Sequence, residues 1–192
     1  MRGQNREQRM GMLKTPQLCG LVLFGMVLLL VQAGPARADR PQPEAGAVLQ
    51  ARGPVTNLPL PRYVSLKASE ANVRRGPSLT HRIDWIFKRR GMPLQVTAEF
   101  GNWRRVRDRD GAGGWIHYSL LSGVRTVLVE EDMVALRTKP DAEAPITARL
   151  ELGVIARLGK CLPDWCRLKA GGYSGWAPKA ALWGVDEGEI RK

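Results

Sequence analysis

An arginine-studded strand and a pair of cysteines are the parts of this chain whose residue types and spacing could do chemistry. From Trp103 the sequence runs Trp-Arg-Arg-Val-Arg-Asp-Arg-Asp. Side chains alternate sides along an extended strand, so Trp103, Arg105, Arg107 and Arg109 share one face and Arg104, Val106, Asp108 and Asp110 the other. Guanidinium forks bind carboxylates bidentately, and a neighbouring aromatic adds stacking area. A carboxylate-rich peptide suits that face. The alternative is that Trp103 completes a small core and the arginines form a solvated edge, partly neutralised by the nearby aspartates. Lys88, Arg89 and Arg90 either extend the basic surface or form a solvated loop before Gly91.

Cys161 and Cys166 flank Leu162-Pro163-Asp164-Trp165, a connection with turn chemistry between two strand-like runs. Opposed residues of an antiparallel pair have Cα atoms about 4.5 to 5.5 Å apart, a distance a disulfide spans, and an oxidising compartment favours the bond. A metal site needs further ligands, yet the two histidines, His81 and His117, lie in the other half of the chain. A reactive thiol pair is a third reading, although Cys-x-x-x-x-Cys lacks the usual redox spacing. Catalysis finds little support. The histidines are isolated, no Gly-x-Ser-x-Gly elbow occurs, and Asp108, Asp110 and Glu99 sit among arginines that would pair with them. No enzyme activity, cofactor or metal is expected.

The elements that must position these groups are short strands. Arg62 to Lys67 alternates as a half-buried strand does, and Ala71 to Ser78 is a strand stopped by Gly76-Pro77. His81 to Trp85 reads as a loop, with Ile86 to Arg90 re-entering the sheet before a turn at Gly91. Leu94, Val96 and Ala98 alternate with polar residues. Asp110-Gly111-Ala112-Gly113 turns the arginine strand into one entered through Gly114-Trp115-Ile116, followed by one helical turn at Tyr118 to Leu121. Arg125 to Val129 ends the first unit and also begins a second. Trp85, Trp115, Tyr118, Trp176 and Trp183 are read as packing residues.

The second unit repeats the first. Trp165 matches Trp103, Leu168 matches Val106, Trp176 matches Trp115 and Leu182 matches Leu121, with Gly153 on Gly91 and Leu136-Arg137 on Val73-Arg74. Matching glycine, tryptophan and apolar positions at an offset of 61 to 63 residues identify an internal duplication. Five or six short strands per unit, glycine-rich turns and no long helical period predict an all-β chain of two small, partly open barrels.

The rest of the chain concerns location and charge. Arg2, Arg6, Arg9 and Lys14 precede an apolar run from Leu18 to Val31, and Ala36-Arg37-Ala38 offers a cleavage site. This pattern predicts a signal peptide over residues 1–38, cleaved after Ala38, and an exported, periplasmic protein; an uncleaved segment would be its one membrane attachment. Residues 39–61, with five prolines, predict an extended, disordered leader. The two units span 62–125 and 126–185, and 186–192 is a polar tail. The whole chain carries 30 basic and 18 acidic residues. Residues 62–125 hold 13 basic against 5 acidic, and 126–185 hold 8 against 7. An anionic partner therefore belongs on the first unit. For an exported protein, that partner is carboxylated cell-wall peptide or other anionic envelope material and not nucleic acid.

These residues resemble the bacterial SH3-like domain family, whose pattern is carried here by Ala71 to Ser78, Gly91 to Val96, Trp103 to Val106, Asp110 to Ile116 and Leu120-Leu121. Trp85 to Gly91 and Leu120 to Val127 are similar to an exported proteobacterial subgroup. The second unit departs from the pattern, with Thr138-Lys139-Pro140 in place of the Gly-Pro start and Ala177 in place of Ile116. The resemblance implies five-to-six-stranded barrels, an envelope location and a non-catalytic binding role, often toward cell-wall peptide. A scaffold docking another envelope protein is the alternative.

Overall fold

The computed structural model describes residues 50–192, so the expected signal peptide over 1–38 and the first part of the leader lie outside the described residues. Two antiparallel sheets follow one another along the chain. The first is built from β1 (Arg62–Leu66), β2 (Ala71–Arg74), β3 (Ile83–Phe87), β4 (Pro93–Phe100), β5 (Trp103–Arg107), β6 (Gly113–His117) and β7 (Leu121–Ser122). The second is built from β8 (Thr126–Val129), β9 (Val134–Arg137), β10 (Ile146–Leu150), β11 (Ile155–Cys161), β12 (Trp165–Ala170), β13 (Tyr173–Pro178) and β14 (Leu182–Trp183).

Strand order is β3-β2-β6-β5-β4-β1-β7 in the first sheet and β10-β9-β13-β12-β11-β8-β14 in the second, the same arrangement position by position. Register repeats as well: Val73 opposes Trp85 as Leu136 opposes Ala148, and Arg74 opposes Trp115 as Arg137 opposes Trp176. Gly91 and Gly153 both take φ +79°, a left-handed turn that glycine enters without the clash a Cβ would bring. The duplication and the all-β fold read from the sequence are the fold observed. A 3₁₀ turn, Tyr118–Leu120 or Lys179–Ala181, precedes the last short strand of each barrel.

Each barrel closes over its own small core. Val73, Leu94, Val96 and Ile116 are fully buried in the first, as are Leu136, Ala156, Ala177 and the two cysteines in the second. Burying each large aliphatic side chain contributes about 2 kcal/mol, so cores this small need support from their neighbours. That support comes from the junction. Thr126 Oγ1 donates to the Gly91 carbonyl at 2.6 Å and lies 2.6 Å from Ser65 Oγ, and Tyr63 meets Trp183 edge-on at 5.3 Å between ring centroids.

Three expectations need correction. Thr126–Val129 pairs with β11 and β14 inside the second sheet, and the first sheet is closed by β7 against β1. The third strand is Ile83–Phe87, a five-residue strand, so the predicted loop supplies its first three residues, Ile83, Asp84 and Trp85, while Lys88 to Arg90 lies beyond its end. Residues 50–61 of the leader are folded, not disordered. A turn over 53–57 is held by the bond from the Asn57 amide to the Gly53 carbonyl, and Arg52 bridges Pro59. The turn docks on Glu99, whose carboxylate accepts the Val55 and Thr56 amides and the Thr56 hydroxyl. The tail docks too: Arg191 exchanges both backbone bonds with Cys161, and buried Lys179 donates its ammonium to the Glu187 and Glu189 carbonyls.

Candidate ligand-binding surface

β5 runs through the middle of the first sheet between β4 and β6, which fixes which of its side chains look outward. Arg104, Val106 and Asp108 are buried, whereas Arg105, Arg107 and Arg109 are exposed and Trp103 is half-buried. The buried acids are engaged. Glu99, with a side chain fully shielded from solvent, meets Arg62 at 2.6 Å and Arg104 at 3.5 Å. Asp108 Oδ1 accepts the Asp110 amide at 3.0 Å and so shapes the turn.

The outward residues do not form one continuous patch. Arg105 and Arg107 line an open groove of about 620 Å³, together with Arg74, Arg75, Asp84 and Trp115. Gly113 and Gly114 allow the close approach of β6 to its neighbours: a Cβ on Gly114 would lie 2.7 Å from the Arg74 carbonyl oxygen. Arg107 Nε donates to Gln95 Oε1 at 2.7 Å, which ties its guanidinium to β4 at the border of the groove. Asp84 is the carboxylate lining this groove, and it is shared between Arg82 at 2.7 Å and Arg75 at 3.1 Å. Hydrogen bonds from Arg82 and Arg75 hold it below the usual carboxylate range, so it stays ionised and occupied. Arg105 makes no ion pair among the described residues. The groove thus combines guanidinium groups in excess of carboxylate with an indole wall, suited to a ligand carboxylate.

The other residues singled out in the sequence go elsewhere. Trp103 packs edge-on against His117 with ring centroids 5.5 Å apart and faces a separate hollow beside Glu70, Asn72 and Leu120. Arg109 crosses to the second barrel, where Glu130 Oε1 accepts its Nε at 2.7 Å. Arg89 donates to the Gly153 carbonyl at 3.0 Å, again across the junction. Lys88 and Arg90 are exposed at the end of β3. Cys161 and Cys166 face each other with Cα atoms 4.1 Å apart and are joined by a disulfide.

The equivalent groove of the second barrel differs in composition. Arg167 and Lys169 take the places of Arg105 and Arg107, while Thr138 and Thr147 replace Arg75 and Asp84. Arg74 and Arg137 play a shared structural part: Arg74 ties down the Leu79 and His81 carbonyls, and Arg137 the Ala144 carbonyl. Arg75 was missed as a site residue because it lies outside the alternating arginine strand; its place in the repeated Arg74-Arg75-Gly76-Pro77 segment was the available signal. Trp85 and Tyr118 depart from the expected packing role, at 52% and 51% exposure.

The family model of the bacterial SH3 domain matches the chain twice, over residues 67–123 and 130–184. Among solved structures, NlpC2 from Trichomonas vaginalis is similar at 13% identity and a TM-score of 0.31, covering 64% of this chain and 48% of that chain. NlpC1 from Trichomonas vaginalis is similar at 13% identity and a TM-score of 0.31, covering 73% and 51%. The chain spans about half the length of each of these structures. No curated protein matches it.

Proposed function

Since the chain belongs to the bacterial SH3 domain family, we propose that it is an exported, periplasmic, non-catalytic binding protein whose first barrel holds a carboxylate-bearing envelope ligand, a cell-wall peptide foremost. The observation that carries this reading is the groove of Arg75, Arg105 and Arg107 beside Trp115, where the one lining carboxylate is already committed to two arginines. A ligand carboxylate entering there meets guanidinium donors without displacing a protein acid, and the indole wall favours flat or apolar parts of the peptide. The charge division between the units supports the same barrel, with 13 basic against 5 acidic residues in 62–125.

The test is retention on purified peptidoglycan across a salt series. Exposed charge contacts are screened within a Debye length of about 8 to 10 Å near physiological ionic strength. Retention is expected to weaken as salt rises and to drop in R105A/R107A. No retention at low salt would overturn the ligand assignment and leave a docking platform for another envelope protein. Muropeptides incubated with the protein are expected to keep their masses; new fragments would contradict the non-catalytic reading. N-terminal sequencing of periplasmic protein is expected to begin at Asp39.

A further inference from the structure

The outer edge of the first barrel carries a second surface beside the groove. β3 ends the first sheet; one flank pairs with β2, and no strand among the described residues pairs with the other. Such an edge presents unmatched amide and carbonyl groups, and proteins usually guard it with charged side chains. Three of the five β3 residues are instead apolar and exposed, Ile83 at 39%, Trp85 at 52% and Ile86 at 40%, and Asp84 is the one charged residue within the strand.

The second barrel supplies an internal comparison at the same place in the same fold. β10 pairs with β9 in the register that β3 uses with β2, so Ala148 stands where Trp85 stands and Arg149 where Ile86 stands. Packing does not require an indole at this position, since the duplicate closes its core without one. We propose that the free edge of β3 takes up an extended segment of a partner protein as an added strand, and that this segment alternates apolar and acidic side chains. Charge selects the occupant. Lys88, Arg89 and Arg90 follow the strand, Arg75 and Arg82 flank its start, and Asp84 is held by the latter two. A second copy of this chain would bring the same basic residues edge to edge and be repelled, whereas glutamates on an incoming strand would face opposite charge. The surface shares Arg75 and Asp84 with the groove, whereas Trp85, Ile86 and the free backbone edge lie outside the groove lining, so either reading can fail alone.

The test uses the full chain and three synthetic peptides: a Glu-Val octapeptide, its Lys-Val counterpart, and a Glu-Val peptide with a central proline that cannot donate to an edge. The Glu-Val peptide is expected to shift the backbone amide NMR signals of Ile83 to Phe87 and to slow their hydrogen exchange. The other two peptides should bind at least about tenfold more weakly. W85A/I86R gives β3 the residues that β10 carries and is expected to lose Glu-Val binding by about tenfold or more while keeping wild-type retention on peptidoglycan. Three outcomes would overturn the proposal: no shifts in β3 with Glu-Val, equal binding by Lys-Val, or unchanged binding in W85A/I86R. Shifts in β3 produced by anionic phospholipid vesicles but not by peptide would assign the ridge to a membrane surface. A concentration-dependent dimer lost in W85A/I86R would assign it to a second copy. Either result also defeats the strand proposal.

Discussion

Glu99 and Arg104 oppose each other across the β4–β5 pair at the register that Cys161 and Cys166 occupy between β11 and β12. One barrel closes this spot with a buried ion pair and the other with a covalent bond. A segment flanking the barrel strands docks at each: the 53–57 turn on Glu99, and Arg191 on Cys161. The two barrels therefore share a topology and differ in what secures the same corner.

That difference sets the acid sensitivity of the first barrel. Burial by itself raises the Glu99 pKa, but hydrogen bonds from the Thr56 hydroxyl and amide, from Arg62 and from the Val55 amide outweigh it and bring the carboxyl down from 4.5 to about 2. A depressed carboxyl contributes stability that is present above its unfolded value and lost as pH falls from about 4.5 to about 2, here about 3 kcal/mol. E99Q is expected to lower stability at pH 7 by a similar amount, with the gap to wild type closing by pH 2. Urea midpoints at pH 7, 4.5 and 2.5 check this; a gap that persists in acid would contradict it.

The covalent corner is insensitive to acid and sensitive to reductant. A loop this short should contribute about 2 kcal/mol through the unfolded chain. Thiol titration of the unreduced protein starting at Asp39 is expected to find no reactive group, and reduction should lower the urea midpoint by a matching amount. Two titratable thiols before reduction would refute the bond.

Thr126 is expected to couple the barrels. Its hydroxyl reaches both Gly91 and Ser65, so T126V leaves the half-buried Gly91 carbonyl without that donor, at a cost of about 1 kcal/mol. The wild type should unfold in one transition, and T126V should separate the barrels into two, followed by tryptophan fluorescence and amide exchange. A single transition of unchanged midpoint in T126V would show that the junction is held elsewhere.

The duplication was legible because glycine at φ +79°, tryptophan and inward aliphatic residues are constrained by backbone conformation and packing, which the sequence records directly. The leader was not, because proline-rich composition reports how little a segment buries in itself. The bonds that fix Thr56 come from Glu99, 43 residues away. β3 was misplaced because Ile-Asp-Trp-Ile-Phe has no two-residue alternation, as fits an edge strand with four exposed residues before Phe87. Alternation gave the facing of Trp103 to Asp108, but β5 ends at Arg107 and Asp110, expected on the face of Arg104 and Val106, is exposed in the turn; alternation also carries no information on partners. Arg109 leaves the patch for Glu130, and the sheet turns Trp103 toward a different hollow from Arg105.

Binding at the arginine groove is tested most directly by titrating the full chain with a soluble muropeptide and following backbone amide and arginine Nε–H NMR signals. The expected result is saturable, salt-weakened shifts centred on Arg75, Arg105, Arg107 and Trp115, lost in R105A/R107A. Shifts confined to the second barrel, or none at low salt, would contradict it.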